Sequence, residues 1–462
     1  MSGFPKVFTG SRFFVLGLGR NGLPAATALA AMGADVLAWD DTSAARAEAA
    51  RQGIALADPE VGDFHADALV LSPGIPHILP APHPATARAT AQGIPILSDA
   101  DLLYRAVRAA GSAARFAGIT GTNGKSTTTA LLAHILATAG QEVAAGGNLG
   151  PAALALPLLP DGGTYVLEMS SYMLERIAAL RFDAAAMLNL SPDHLDRHGD
   201  MAGYAAAKRA IFARQDGGCV AVLGIDDAES AQTLPAGHPA RVVRISGTRP
   251  ADVWAERGVL RDAGGPILDL KRAPALPGAH NAQNAAAAAA MALALGADRA
   301  SIARGIETFP GLPHRQARIA TIGGIGFIND SKATNADAAA CALACYPRLV
   351  WIAGGIATAG GIAPLAPFFP AIAHAELIGR DAPAFAATLA AHGVPHRIAG
   401  TLESAVPAAF AAARASGAPV VLLSPATKSF DQFSGFEARG ERFADLVRAL
   451  AAQQDEQNGR AA

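Results

Sequence analysis

The strongest chemical signal in the chain is Gly118-Ile-Thr-Gly121-Thr122-Asn123-Gly124-Lys125-Ser126-Thr127. Its glycines allow a loop whose backbone N–H groups turn toward an anion, and a lysine and two hydroxyls follow at once. An apolar run at 116–119 precedes the loop, and an Ala/Leu pattern at 128–139 follows it. Strand, glycine loop and helix in that order form a setting in which a helix N-terminus holds phosphate. Lys125 would meet the β- and γ-phosphates as a point charge, and Ser126 or Thr127 would hold Mg2+. The spacing departs from the standard nucleotide loop, because Ile119 stands five residues before Gly124 where glycine is usual. The segment predicts ATP binding.

Further reactive residues lie where other strands should end. Gly17-Leu-Gly19-Arg20-Asn21-Gly22 matches the dinucleotide-type glycine turn, with Asp40 after the next strand, where a ribose hydroxyl would be met. The same turn also fits a tight corner without ligand, or an NAD-dependent dehydrogenase, although no hydride-transfer site stands nearby. Ser72-Pro-Gly74 follows another strand end and could bring N–H groups to the same crevice. Glu168, in Tyr165-Val-Leu-Glu168-Met-Ser170-Ser171, supplies a carboxylate where a phosphate-loop enzyme needs a metal ligand. Asn189-Leu-Ser-Pro-Asp193-His194-Leu-Asp196-Arg197 groups acid, imidazole and guanidinium, which makes His194 a candidate for metal or substrate binding. Lys208 follows on a helix and, taken alone, reads as an exposed helical lysine.

The elements that must position these groups fall into three α/β blocks. Strands at 13–17, 35–39 and 68–72 alternate with helices at 22–32 and 101–109, the pattern of parallel βαβ units. The pattern lapses at 110–113, which marks a linker. The second block has strands at 165–167 and 185–190, a helix at 201–213, short strands and loops at 236–278, and helices at 281–295 and 300–307. The third begins near Gly311-Leu-Pro-His-Arg315 and has strands at 349–353, 376–378 and 420–423. From Ala451 the tail turns polar and should fray.

Composition narrows the function classes. The 462 residues suggest about three domains. A net charge of −2 without a basic block argues against nucleic acid as a partner. Cys219, Cys341 and Cys345 draw no disulfide framework and read as small buried thiols in a reducing compartment. The start Met-Ser-Gly-Phe-Pro-Lys lacks a signal-peptide layout, and the longest apolar run, 285–295, is too short for a membrane span. A soluble, cytoplasmic chain is expected.

In order along the chain, Gly121–Thr127, Gly146-Gly-Asn148-Leu-Gly150, Glu168-Met-Ser-Ser171, Asp193-His-Leu-Asp196, His280-Asn281, Gly311–Arg315 and Asn329-Asp-Ser-Lys-Ala-Thr-Asn335 resemble the Mur ligases. Those are cytoplasmic ATP-dependent enzymes that build the peptide stem of bacterial cell-wall precursors. The resemblance covers about residues 13–449. It is strongest to the branch that joins D-glutamate to UDP-N-acetylmuramoyl-L-alanine, through the Gly17–Gly22 turn, Ser72-Pro-Gly74 and Leu423-Ser-Pro-Ala-Thr-Lys428-Ser429-Phe430-Asp-Gln-Phe433. It implies an α/β fold of three domains. These are an N-terminal Rossmann-like UDP-binding domain (1–108), a central P-loop-type ATPase domain (109–310) and a C-terminal Rossmann-like domain (311–462). It implies that Gly121, Thr122, Asn123, Gly124 and Lys125 cradle phosphate while Ser126 or Thr127 holds one Mg2+. Glu168, His194 and a carbamylated Lys208 would hold a second. Asn281 and Arg315 would face the nucleotide, Asp330 its ribose and Lys332 the reacting groups. Arg20, Asn21, Asp40, Ser72 and Gly74 would hold the uridine diphosphate, and Asn148 and Ser170 the muramoyl-alanine. Thr334, Lys428, Ser429, Phe430 and Phe436 would line the amino-acid site. A monomer working without nucleic acid or membrane is expected, closing its third domain to exclude water.

The alternatives are a folate-type polyglutamate ligase, the dehydrogenase and a ligase-like protein without catalysis. The UDP-type first block speaks against the folate enzymes, and Lys125, Glu168, His194 and Lys208 speak against loss of catalysis. Three positions depart from the family pattern. Met173 stands where this branch usually has glutamine. Thr358 replaces a lysine that helps bind the glutamate carboxylate, and Lys428 stands where a small residue is common. Either Lys428 supplies the missing cation or it faces solvent while Ser429 and backbone groups suffice.

Overall fold

The computed structural model of the protein describes residues 3–61, 64–358 and 360–461. Its strands form three large sheets. The first is built from β1 (Arg12–Leu16), β2 (Asp35–Trp39), β3 (Ala55–Leu56), β4 (Ala68–Leu71) and β5 (Ile96–Leu97) in the order 3-2-1-4-5, all parallel. The second contains β6 (Arg115–Thr120), β7 (Val143–Gly147), β8 (Thr164–Glu168), β9 (Ala184–Met187), β10 (Val220–Gly224), β11 (Arg241–Ser246), β12 (Val253–Glu256), β13 (Val259–Asp262) and β14 (Gly265–Asp269). Its order is 14-13-12-11-10-9-6-8-7, and only the pairings of β13 are antiparallel. The third comprises β15 (Ala317–Ile322), β16 (Ile325–Asn329), β17 (Leu349–Gly354), β19 (Ile372–Ile378), β20 (His396–Gly400) and β21 (Val420–Leu423) in the order 15-16-21-17-19-20. A two-residue ladder pairs β18 (Ile356–Ala357) with β22 (Thr427–Lys428).

Central strands such as β9 (Ala-Ala-Ala-Met) and β17 (Leu-Val-Trp-Ile-Ala-Gly) are buried at every residue. Helices on both faces of a parallel sheet require such continuous apolar runs rather than alternation. Packing divides the chain into two compact units. The first is Met1–Ala273 with Asn281–Phe309, and the second is Pro274–His280 with Pro310–Ala462. The first two sheets therefore share one unit. The second unit takes Pro274–His280, which the sequence alone places in the central block. The hairpin β15–β16 was not expected from the sequence. The last helix, Phe436–Ala461, continues past Ala451 instead of fraying there.

Within the first unit, the helix Asp99–Ala109 fastens one sheet to the other. Ser98 caps it through its hydroxyl, and the Ser98 N–H donates to the Arg176 carbonyl (2.8 Å). Asp99 accepts from the Ala153 N–H (2.8 Å) and, being buried, has its pKa pushed up to about 6. Asp101 accepts from the N–H groups of Ala178, Ala179 and Leu180 at 2.8, 2.6 and 2.8 Å and from Arg105 Nε at 2.8 Å. A buried carboxylate is tolerated where several charge-assisted bonds replace water. The Asp101→Ala variant strands three amides and should destabilise the first unit by ~3 kcal/mol. Urea unfolding of the two proteins measures that difference.

Candidate active site

At the end of β6 the backbone turns with φ of 148° at Gly121 and 82° at Gly124. A Cβ at Gly124 would sit 2.2 Å from Asn284 Oδ1, so glycine is required both for its φ and for this close approach. The helix Lys125–Thr138 starts at once. Asn189 braces the loop. Its carbonyl accepts the Thr122 N–H (2.9 Å) and its side-chain oxygen accepts the Asn123 N–H (2.8 Å). Asn284 supports the loop from the helix Ala279–Ala294, where it bonds to Asn281 (3.0 Å) and receives the Thr128 hydroxyl (3.2 Å). Residues 285–290 of that helix are alanines exposed by at most 3%, small enough for the helix to be packed on all sides.

Two lysines converge on the loop from its carbonyl side. Lys125 Nζ donates to the Gly121 and Thr122 carbonyls at 2.8 and 2.7 Å. Lys208 Nζ donates to the same Gly121 carbonyl at 2.8 Å. Lys208 is 1% exposed, so the exposed helical lysine expected from the sequence is corrected. Burial drives its pKa well below the usual lysine range and Lys125 pushes the same way, against Asp193 and Glu168. Glu168 ends β8 and is 2% exposed. Its Oε1 accepts from Asn148 Nδ2 (2.6 Å), while its buried Oε2 has no hydrogen-bond partner. His194 has a left-handed backbone (φ 53°), and its Nε2 stands 3.5 Å from the Asp193 carboxylate. Burial lowers its pKa, with Lys208 and Lys125 adding to the effect against Asp193. The structure thus brings Lys125, Glu168, Asp193, His194 and Lys208 into one electrostatic group.

An orphaned, buried carboxylate oxygen fits a cation. Among the described residues no three His, Cys, Asp or Glu side chains are placed to hold a metal ion by themselves. A metal beside Glu168 therefore calls on the hydroxyls of Ser126 or Thr127, on His194, and on Lys208 only after that amine becomes an anionic ligand. Ser126 is buried, and Thr127 sits half-buried in the same first helical turn.

The first sheet presents its own set at strand ends. Asp40 accepts from the Leu18 N–H (2.7 Å) and from both the N–H and hydroxyl of Thr42 (2.8 and 2.7 Å). Burial raises its pKa, but the bonds from Thr42 and Leu18 outweigh that and leave it lowered. Ser72 closes the glycine turn by donating to the Gly17 carbonyl (2.8 Å). Arg20 donates to the Gly150 carbonyl (3.1 Å) and Asn21 to that of Gly147 (3.5 Å), reaching the loop that carries Asn148. A cavity of about 1090 Å³ adjoins the turn, lined by Leu18, Gly19, Arg20, Leu23 and Ala155 among others. Ser170 caps the helix Ser171–Leu174 through the Met173 N–H (3.3 Å), and Met173 itself is core. The Met173 side chain packs among apolar neighbours, where an amide would need partners.

The second unit carries the remaining residues at the ends of β16, β17 and β21. Asp330 accepts from the Ser424 hydroxyl (2.8 Å) and the Gln316 N–H (3.2 Å). Lys332 Nζ lies 4.3 Å from the centre of the Phe436 ring. Thr334 is half-buried and Ser429 buried, while Phe430 is 66% exposed. Lys428 is exposed and pairs across the ladder with Ile356, two residues from Thr358. Beneath them runs Arg439, 1% exposed, which donates to the Ser331 hydroxyl and carbonyl (3.0 and 2.8 Å) and to the Thr427 carbonyl (3.1 Å). Burial lowers its pKa to about 10. Of the three thiols expected to be buried, Cys219 is, while Cys341 and Cys345 are only half-buried.

Several contributors escape sequence reasoning. Asn284 lies one helical turn after Asn281, a spacing that could have been read. Asn189, Arg176 and Arg439 carry no such signal. Nor does the contact in which His198 bridges Glu175 (3.0 Å) and Ser171 (2.9 Å).

Residues 119–292 match the family model described as the Mur ligase middle domain. The chain is 49% identical to the UDP-N-acetylmuramoylalanine–D-glutamate ligase of Caulobacter vibrioides, over 95% of this chain and 96% of that one. It is 50% identical to the protein of the same name from Paramagnetospirillum magneticum, over 96% and 97%. Among solved structures it shares the fold of the UDP-N-acetylmuramate-alanine ligase of Thermotoga maritima, at TM-score 0.59 and 18% identity over 95% of this chain and 99% of that one. A pseudomurein peptide ligase type C from Methanothermus fervidus matches at TM-score 0.56 and 19% identity over 96% and 100%.

Asp330 yields a pH prediction. Burial raises its pKa from 3.8 to about 7, against the lowering effects of Ser424, Gln316 and Arg315. Between those values the folded state holds a proton that the unfolded chain releases, so stability falls as pH rises from about 4 through 7. The Asp330→Asn variant should lose that slope and gain on the order of 3 kcal/mol over the wild type at pH 8 relative to pH 4. Urea titrations at the two pH values read it directly.

Proposed function

Because the chain belongs to the Mur ligase family, among the UDP-N-acetylmuramoylalanine–D-glutamate ligases, we propose how its residues divide that enzyme's work. The protein is an ATP-dependent, amide-bond-forming ligase that adds D-glutamate to UDP-N-acetylmuramoyl-L-alanine in peptidoglycan synthesis. The observation that carries the site-level reading is Glu168, buried with one oxygen unpartnered, within electrostatic range of a buried Lys208 held on the phosphate loop.

A carboxylate is a poor electrophile and must first be activated. The L-alanyl carboxylate attacks the γ-phosphorus of ATP, forming an acyl phosphate and releasing ADP. The glutamate amine then attacks the acyl carbon, loses a proton, and the tetrahedral intermediate expels inorganic phosphate to leave the amide. Lys125 and the N–H groups of residues 121–127 hold the phosphates. When bound, Mg2+ neutralises charge on the phosphoryl oxygens, and Ser126, Thr127, Glu168 and His194 fit it, joined by Lys208 if carbamylated. A depressed lysine pKa raises the share of neutral amine, the form that reacts with carbon dioxide. Asn281 and Arg315 serve the nucleotide, Asp330 its ribose, and Lys332 the reacting groups. Arg20, Asn21, Asp40, Ser72 and Gly74 hold the uridine diphosphate, with Asn148 and Ser170 on the muramoyl-alanine. The three functional blocks follow residues 1–108, 109–310 and 311–462, and the enzyme works as a cytoplasmic monomer.

Thr334, Lys428, Ser429, Phe430 and Phe436 line the amino-acid site in this reading. Its cation is Lys428, supported by the β18–β22 ladder that sets it beside the segment containing Thr358.

Phosphate release from ATP in the presence of UDP-N-acetylmuramoyl-L-alanine should require D-glutamate and should not occur with L-glutamate. Reduction of NAD by a small alcohol would overturn the reading. The Lys428→Ala variant should raise KM for D-glutamate at least roughly tenfold, the loss of a charge-assisted contact, with KM for ATP unchanged. An unmoved KM for D-glutamate sinks the assignment of Lys428.

A further inference from the structure

Arg176 sits just past the helix Ser171–Leu174 and is 2% exposed, yet no carboxylate pairs with it among the described residues. Its guanidinium is spent on the first sheet. Nη1 donates to the carbonyls of Leu71 (3.3 Å) and Ser72 (3.1 Å), and Nη2 to that of Ile75 (2.7 Å), with His77 Nδ1 at 3.3 Å. Arg197, from the segment after His194, takes the Gly74 carbonyl (3.0 Å) and shares that of Ile75 (3.3 Å). The turn is itself closed by the Ile75 N–H on the Ser72 carbonyl (3.1 Å). Two guanidinia thus hold the carbonyls of Leu71, Ser72, Gly74 and Ile75. The Gly74 N–H has no hydrogen-bond partner among the described residues.

The Arg176 Nε has no hydrogen-bond partner and Glu175 acts on the guanidinium only through its field, so this buried cation, held mainly by neutral carbonyls, is costly, and the cost is lowered when an anion settles nearby. The Ser72 N–H donates to the Leu16 carbonyl (3.0 Å), Pro73 has none and the Ile75 N–H closes the turn, so with the carbonyls held on one side the Gly74 N–H is the amide of this turn left for an anion on the other. Arg176 also lies at the end of the segment Glu168–Glu175, so the same side chain joins this turn to the strand end that carries the orphaned carboxylate. We infer that Arg176 is a positioning residue that sets the Ser72–Ile75 turn for the diphosphate of the sugar nucleotide and registers it against the Glu168–Ser171 segment. This rests on the substrate proposed above.

The test is calorimetric binding of UDP-N-acetylmuramoyl-L-alanine and, separately, of ATP to the full-length wild type and to Arg176→Lys. Lysine keeps the charge but reaches only part of the carbonyl set. The inference expects the sugar nucleotide to bind at least about tenfold more weakly while ATP affinity stays within about twofold. Unchanged sugar-nucleotide affinity overturns it, and so does equal weakening of both ligands, the mark of a merely structural residue. Should Arg176→Lys fail to fold, Arg197→Lys stands in, with a selective loss of several-fold expected and the same two results counting against it. A wild type that does not bind the sugar nucleotide at all refutes the proposed function instead, so the two failures are distinguishable.

Discussion

The architecture depends on keeping backbone carbonyls away from the places where anions are to sit. An N–H group is a useful anion donor only if the carbonyls of the same loop are engaged elsewhere. At Gly121–Gly124 they are engaged by lysine amines, with Lys125 and Lys208 sharing the Gly121 oxygen. At Ser72–Ile75 they are engaged by guanidinium groups from Arg176 and Arg197. The donors are held from behind, so each loop acquires shape, and Lys125, Arg176 and Arg197 lend a positive background. Low local dielectric strengthens both effects.

The second unit uses the same arrangement. Arg439 is buried beneath Ser331 and Thr427 and donates to a carbonyl of each, tying the loop after β16 to the loop after β21. Above it Lys332 lies over the Phe436 ring, while Lys428 is exposed. A buried guanidinium without a carboxylate is weak evidence for stability but good evidence for geometry, since removing it strands several acceptors at once. The left-handed backbones at His194, His314 and Ala426 fall in or beside these same loops, where local strain is tolerated because the surroundings determine the chain's path.

Much of this was legible in the sequence, and the reason differs by element. Buried parallel strands such as β2 and β21 announce themselves as apolar runs, and their observed limits match those expected. The phosphate loop was legible because glycine, lysine and hydroxyl are needed in a fixed order. The environment of Lys208 was not, since a lysine inside Tyr-Ala-Ala-Ala-Lys looks the same whether its helix faces water or a loop carbonyl. Met173 shows the same limit, because only packing reveals that its side chain joins the core. The hairpin β15–β16 had little local trace, because β15 (Ala-Arg-Ile-Ala-Thr-Ile) is only partly buried and offers no continuous apolar run ahead of the Gly323-Gly324 turn. The grip of Arg176 on residues about a hundred positions away has no local trace at all.

The alanine helix Ala279–Ala294 has a mechanical consequence. Closely packed small side chains leave little void to compress and few rotamers to adjust. The spacing between Asn281, Asn284 and the glycine loop is therefore among the stiffest dimensions in the first unit, held by excluded volume as well as by hydrogen bonds. Lysines and arginines can re-aim by turning about their side-chain bonds, but a methyl group cannot. Under temperature or pressure the cation-held turns should deform first, and the alanine face should keep its distance from the loop until the unit itself gives way.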